Sequence, residues 1–178
     1  LRKLIFGMES YNQRVLDSMD KGCPVDVIDR TVEECIRLGI GMHLYLICGF
    51  PTETKEEVMD SINFVLKNPE MLESPGFSSI LSQFDLEKGT PLEKNPEKWH
   101  ITELSNPPGH DLALGYSYKA SVGMEAEEVT ELYQQLVEQL SEKVRTFPHN
   151  YSLSDGLLYL GRHDQSRIRQ RLASLVSV

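Results

Sequence analysis

The first apolar block, LRKLIFGM, is rich in strand formers and stops at Gly7-Met8. Ser10 can cap the short helix that follows, NQRVLDSM, where Val15, Leu16 and Met19 share one face. Lys21-Gly22 closes it. Pro24 suits the first turn of a second helix, in which Ile28, Val32, Cys35 and Ile36 recur at helical spacing before Gly39 ends it. The next block, MHLYLIC, is almost continuously apolar, as strands are when both faces of a parallel sheet are covered by helices. It breaks at Gly49-Phe50-Pro51 and a charged helix starts. Thr54-Lys55-Glu56-Glu57 has the form of a capping box, and Val58, Ile62, Val65 and Leu66 form the stripe behind it. A third, more polar and alternating strand lies within FSSILSQFDL.

Strand, helix, strand, helix, strand predicts a parallel α/β arrangement with right-handed crossovers. From Glu87 to Ser121 the chain reads as irregular, punctuated by Pro91, Pro96, Pro107 and Pro108. A long helix is expected from Glu125 to Val144, with Val129, Leu132, Leu136 and Leu140 along one side. A last one is expected from Gln165 to Val176, burying Ile168, Leu172 and Leu175. There is no internal repeat beyond the β/α unit.

Composition narrows the function classes. The 178 residues carry a net charge of −9 with no Lys/Arg-rich run, which speaks against direct contact with nucleic acid. No apolar run approaches the roughly 20 residues of a membrane span, and no basic stretch leads into an apolar one as in a signal peptide. The chain starts at Leu1, directly in a strand pattern, and reads as a piece of a longer protein. Its three cysteines, Cys23, Cys35 and Cys48, are odd in number and widely spaced. That fits a reducing, cytoplasmic setting and lacks the close spacing of a zinc or iron–sulfur motif. Cys35 and Cys48 read as small buried hydrophobes. His43, His100, His110, His149 and His163 show no metal-ligand spacing; His43 is expected to be packed or to line a barrel.

In parallel α/β folds ligands sit beyond the carboxyl ends of the strands. Two such ends stand out. The first strand runs into Gly7-Met8-Glu9-Ser10, placing a carboxylate at its end. The second runs into Gly49, where backbone can approach a ligand, and Pro51, which fixes the turn. A plain β-to-α turn and a solvated glutamate are the alternative reading of the same residues.

FGMESYNQRVLDSMDKG, then GIGMHLYLICGFPTETKEEVMDSINFV, then FDLEKGTPL, resemble in that order the later half of the radical S-adenosylmethionine (radical SAM) enzymes. The likeness is to the group often carrying an N-terminal cobalamin-binding domain, and it covers about Leu4 to Leu92. It implies a partial TIM-like (βα) barrel contributing about three parallel β/α units over residues 1–95. An irregular connector over 96–120 and a helical C-terminal appendage over 121–178 would follow. A complete eight-stranded barrel takes about 250 residues, so this would be the later part of one.

The resemblance implies a wall for S-adenosylmethionine. Glu9 would hydrogen-bond its ribose or amino group, with Ser10 contributing or only capping. Lys21 would face the methionine carboxylate, a surface lysine being the alternative. Ile47 and Gly49 would meet adenine on the fifth barrel strand, and Gln83 and Phe84 would meet it through backbone groups on the sixth. The family's C-x-x-x-C-x-x-C loop for a 4Fe–4S cluster is absent, so the chain alone is expected to be inactive. In the whole enzyme the implied chemistry is reductive cleavage of S-adenosylmethionine to a 5′-deoxyadenosyl radical that abstracts hydrogen from a small-molecule or peptide substrate. A non-catalytic α/β binding or assembly module is the alternative, and an RNA-modifying relative a third. An open sheet edge also predicts self-association, unless the tail covers it. HNYSLSDGLLYLGRH is expected to begin the appendage, and the stretch from Trp99 to Tyr118 to be connector or cover.

Overall fold

The computed structural model describes residues 3–74, 76–106 and 114–144, all within one compact unit. The helix expected at Gln165–Val176, the segment HNYSLSDGLLYLGRH, and His110, His149 and His163 lie outside the described residues. The first half runs β1 (Lys3–Glu9), α1 (Gln13–Ser18), α2 (Val25–Arg37), β2 (Gly41–Cys48), α3 (Lys55–Leu66), α4 (Pro69–Glu73) and β3 (Ser78–Gln83). The strands pair in parallel in the order β1-β2-β3, with Leu4 opposite Met42 and Tyr45 opposite Ile80. This is the expected mixed α/β fold with a parallel sheet, and among the described residues the strands do not close into a barrel.

Side-chain alternation divides the sheet. Leu4, Phe6 and Met8 of β1, Met42, Leu44, Leu46 and Cys48 of β2, and Leu81 of β3 enter one core with α2, α3 and α4. Ile5, Tyr45, Ile47 and Ile80, on the other face, belong to neither buried cluster found among the described residues, and Ile5 is 55% exposed. MHLYLIC thus meets the expectation of burial on both faces only in part, its second face being buried at His43 and half-buried beyond it. The helices of this core stack on one side, leaving Tyr45 and Ile47 half-buried. His43 is buried there, its Nδ1 2.7 Å from the Ser78 hydroxyl.

Local signals set the helix ends. α1 is capped by Asn12, whose carbonyl oxygen accepts from the Val15 N–H, and not by Ser10. The extended backbone of Asn12 suits the cap, whereas Ser10 is buried two residues earlier. α2 ends in a Schellman arrangement: Gly39 N–H donates to the Ile36 carbonyl and Ile40 N–H to that of Cys35, with Gly39 at φ 63°. The capping box of α3 forms as read, between Thr54 and Glu57.

The stretch expected to be irregular folds as a second sheet. β4 (Leu86–Glu87), β5 (Ile101–Ser105) and β6 (Gly115–Ala120) are antiparallel in the order β4-β6-β5; α5 (Pro91–Lys94) and one 3₁₀ turn, Pro96–Trp99, lie between β4 and β5. Strands of two to six residues, separated by prolines, give too short an alternation to be read from sequence. Val15, Phe50, Leu86, Trp99 and Ile101 form the heart of a second buried cluster, with Phe84, Tyr116 and Tyr118 packed on it. Phe84 follows directly on β3 and Phe50 lies two residues beyond β2, so this cluster sits against the carboxyl ends of the parallel strands. The long helix α6 (Ala126–Lys143) has the expected stripe, Val129, Leu132, Leu136 and Leu140. It is no appendage: that stripe lies in the main core and α6 packs beside β3.

Candidate functional site

β1, β2 and β3 run parallel, so Glu9, Gly49 and Phe84 all arrive at the same edge of the sheet. At β1 the pairing slips between Gly7 and Glu9: Gly7 is level with Tyr45 and Glu9 with Leu46. Glu9 takes a left-handed backbone, φ 62°, which is uncommon without glycine. That conformation turns its carboxylate back over Gly7. A Cβ on Gly7 would lie 2.1 Å from Glu9 Oε1 and 3.1 Å from Lys21 Nζ, so glycine makes the space that the pair occupies. Lys21 donates to Glu9 Oε1 at 2.9 Å, with side-chain exposures of 36% and 18%. Such a partly exposed pair stabilises the fold by about 1 kcal/mol, leaving both charges open to exchange for a ligand's groups.

Glu9 and Lys21 are thus brought together. Ile47 lies half-buried on the sheet face away from the helices. Ser10 is fully buried: its hydroxyl is 3.3 Å from that of Ser61 and accepts from Asn12 N–H. Tyr11 N–H also donates to the Ser61 hydroxyl, so Ser10 joins the end of β1 to α3 and does not face a ligand.

The other end of the rim is turned inward. Gly49 has φ 86°, and a Cβ there would lie 2.3 Å from Val129 Cγ1. The room left by the missing side chain is taken by α6, not held open. Gly49 N–H donates to Glu53 Oε2 at 2.8 Å and its carbonyl accepts from the Tyr118 hydroxyl at 3.1 Å. Phe84 stacks edge-on with Phe50 and Tyr118, centroids 5.1 Å and 6.1 Å apart, and its N–H donates to the Cys48 carbonyl. Gln83 reaches Thr130 of α6 at 3.4 Å. These three residues knit the rim to its surroundings.

Glu53 lies in the turn just before α3, where an acid reads as an ordinary helix-start residue, and nothing in the sequence marks its burial. It is 1% exposed, accepts from Gly49 and Phe50 N–H, and leaves Oε1 without a hydrogen-bond partner among the described residues. Burial pushes its carboxyl up to about 7 against the two N–H groups that favour the anion. Burial likewise pushes the Cys48 thiol and the Tyr118 phenol up to about 12, so Cys48 stays a thiol at neutral pH. Arg14 was also missed. It grips Glu57 with two N–H groups at 2.5 Å and donates to the Thr52 carbonyl and hydroxyl, holding Thr52 at φ 77°. The alternating tyrosines of GYSYKA were the one signal for Tyr118; nothing marked Arg14.

Two concavities lie elsewhere. A groove of about 520 Å³ follows the outer side of α2 between Val27 and Ile40, away from the strand ends. A cleft of about 250 Å³ lies between Arg14, Thr52, Lys98 and His100. Among the described residues no three His, Cys, Asp or Glu side chains converge as a metal site, and no helix is long and apolar enough to cross a membrane. No family model matches the chain, and no curated protein matches it.

Proposed function

We propose that the chain is the C-terminal part of a radical SAM oxidoreductase, contributing the later strands of a partial barrel and one wall for S-adenosylmethionine. The observation that carries this reading is the Glu9–Lys21 pair, poised over Gly7 at the carboxyl end of a parallel strand. A carboxylate and an ammonium side by side suit a ligand that bears both an amino and a carboxylate group, each charge exchanging its partner for the ligand's. Ile47 offers a half-buried apolar side chain on the sheet face away from α2 and α3 for the adenine ring.

The residues present do not fit an iron–sulfur cluster. Cys35 and Cys48 are buried on α2 and β2, Cys23 precedes α2, and no three ligating groups meet among the described residues. Cluster ligands would belong to sequence outside this chain, and any cobalamin would bind an upstream domain. The chain's own part is to bind and orient the sulfonium compound, in the cytoplasm, for a substrate that this wall does not select.

A second reading, a non-catalytic α/β binding or assembly module, is favoured by one observation: Gly49, Gln83 and Phe84 are engaged in internal packing. S-adenosylmethionine titrated by calorimetry into the longer protein separates the two. Glu9→Gln should weaken binding on the order of 10- to 100-fold, as expected for loss of a charge-assisted hydrogen bond. Unchanged affinity in that variant, or no 5′-deoxyadenosine from the anaerobically reconstituted protein with its cluster intact, would remove the radical SAM reading.

A further inference from the structure

Beneath the rim, Glu53 is a buried acid that ligand binding does not use. Its Oε2 takes both amide bonds of the turn, and its Oε1 faces no donor among the described residues. The neutral acid suits this arrangement. It keeps a carbonyl oxygen at Oε2 for Gly49 and Phe50 N–H and leaves only an uncharged hydroxyl at Oε1 without a partner among the described residues. The anion instead leaves a charged oxygen buried and unpaired, relieved by water entering or by the turn opening.

The surroundings leave this proton to Glu53. From α3, Glu57 repels the anion; from α1, Arg14 attracts it, and those two are already paired with each other. Cys48 of β2 and Tyr118 of β6 lie within its field, as does Asp85 within that of Tyr118, and neither the thiol nor the phenol ionises near neutrality. From the loop before α6 comes the Met124 N–H, bonded to the Glu53 main-chain carbonyl at 3.1 Å.

We propose that Glu53 is a proton-operated latch: the neutral acid holds the β2–α3 turn closed over the strand ends, and ionisation loosens the turn and releases Phe50 from the second cluster. The sign follows from linkage. The closed turn binds the proton more tightly than an open one, so losing the proton favours opening, with the change centred at about 7. The latch is built from the buried acid and the turn it holds, and it does not depend on the identity of any ligand.

The single tryptophan, Trp99, shares the second cluster with Phe50 and reports on it. On titrating the 178-residue chain from pH 5 to 9, Trp99 emission should shift to the red. The Gly49 and Phe50 amide resonances should move with the same midpoint. Glu53→Gln should abolish both changes. His100→Asn, which removes the imidazole next to Trp99 while keeping a side chain tolerant of φ 57°, should retain them. A transition that survives in Glu53→Gln or vanishes in His100→Asn overturns the latch. Should Glu53→Gln fail to fold, the carboxyl carbon resonance of Glu53 in the wild type decides: a midpoint near the ordinary 4.5 overturns it, and one near 7 that tracks the Gly49 and Phe50 amides supports it.

Discussion

Replacing Gly49 by alanine tests whether this residue is glycine for packing or for a ligand. Two costs add. At φ 86° the left-handed backbone of a non-glycine residue costs about 1–2 kcal/mol. The new methyl would meet Val129 Cγ1 at 2.3 Å and Cγ2 at 3.0 Å, an overlap in a packed core of the kind that costs about 1–3 kcal/mol. Together Gly49→Ala should destabilise by about 2–5 kcal/mol, a large share of the 5–15 kcal/mol typical of a domain. Urea denaturation followed by circular dichroism measures this, with the midpoint falling at unchanged slope. Val129→Ala alone removes two buried methyl groups and should cost about 2 kcal/mol. In the double variant the overlap is gone while the backbone cost remains. It should therefore be more stable than the sum of the single losses by about 1–3 kcal/mol. If Gly49→Ala cost under about 0.5 kcal/mol, or if the two losses simply added, Val129 would not be what fills that space, and the role of Gly49 in admitting a ligand would return.

Glu53 is raised from 4.5 to about 7, so the folded chain holds a proton that the unfolded chain has lost. Its contribution is full below pH 4.5 and lost as pH rises to about 7, at most about 3 kcal/mol, and urea midpoints across that window should lose this slope in Glu53→Gln. Glu57, held below its usual range by the Arg14 bond, acts in the opposite direction only at more acid pH. Thr54→Ala removes the hydroxyl half of the α3 capping box and should cost about 1 kcal/mol in the same assay. Trp99→Phe keeps most of the packing but loses the indole N–H bond to the Ser18 carbonyl, for a loss of about 1 kcal/mol or somewhat more. Lys21→Met should change stability by about 1 kcal/mol, since its pair with Glu9 is partly exposed.

Legibility in the sequence followed the range of the forces involved. The capping box at Thr54, the Gly39 stop and the stripe from Val129 to Leu140 are local patterns, and each lies where its spacing places it. The ends of β1 and β2 were legible for the same reason: glycine and proline interrupt apolar runs. What failed was non-local. Ser10 has the chemistry of a cap, but burial against Ser61 gives it another partner fifty-one positions away. The second sheet depends on pairing Ile101 with Ala120 and Leu86 with Tyr116, across prolines that read as a loop. Glu53 reads locally as an ordinary helix-start acid, because the neighbours that meet it, Tyr118 of β6 and the loop before α6, are distant in sequence. Gly49 was legible as glycine but not for its reason, since Val129 lies eighty residues further along the chain.

Adjacent residues of α1 face opposite ways: Leu16 enters the main core and Val15 the cluster under the antiparallel sheet. Six residues are too few for a helix to persist unaided, so α1 exists only while both sides hold it. It acts as a party wall, and demolishing either room leaves the other without a side.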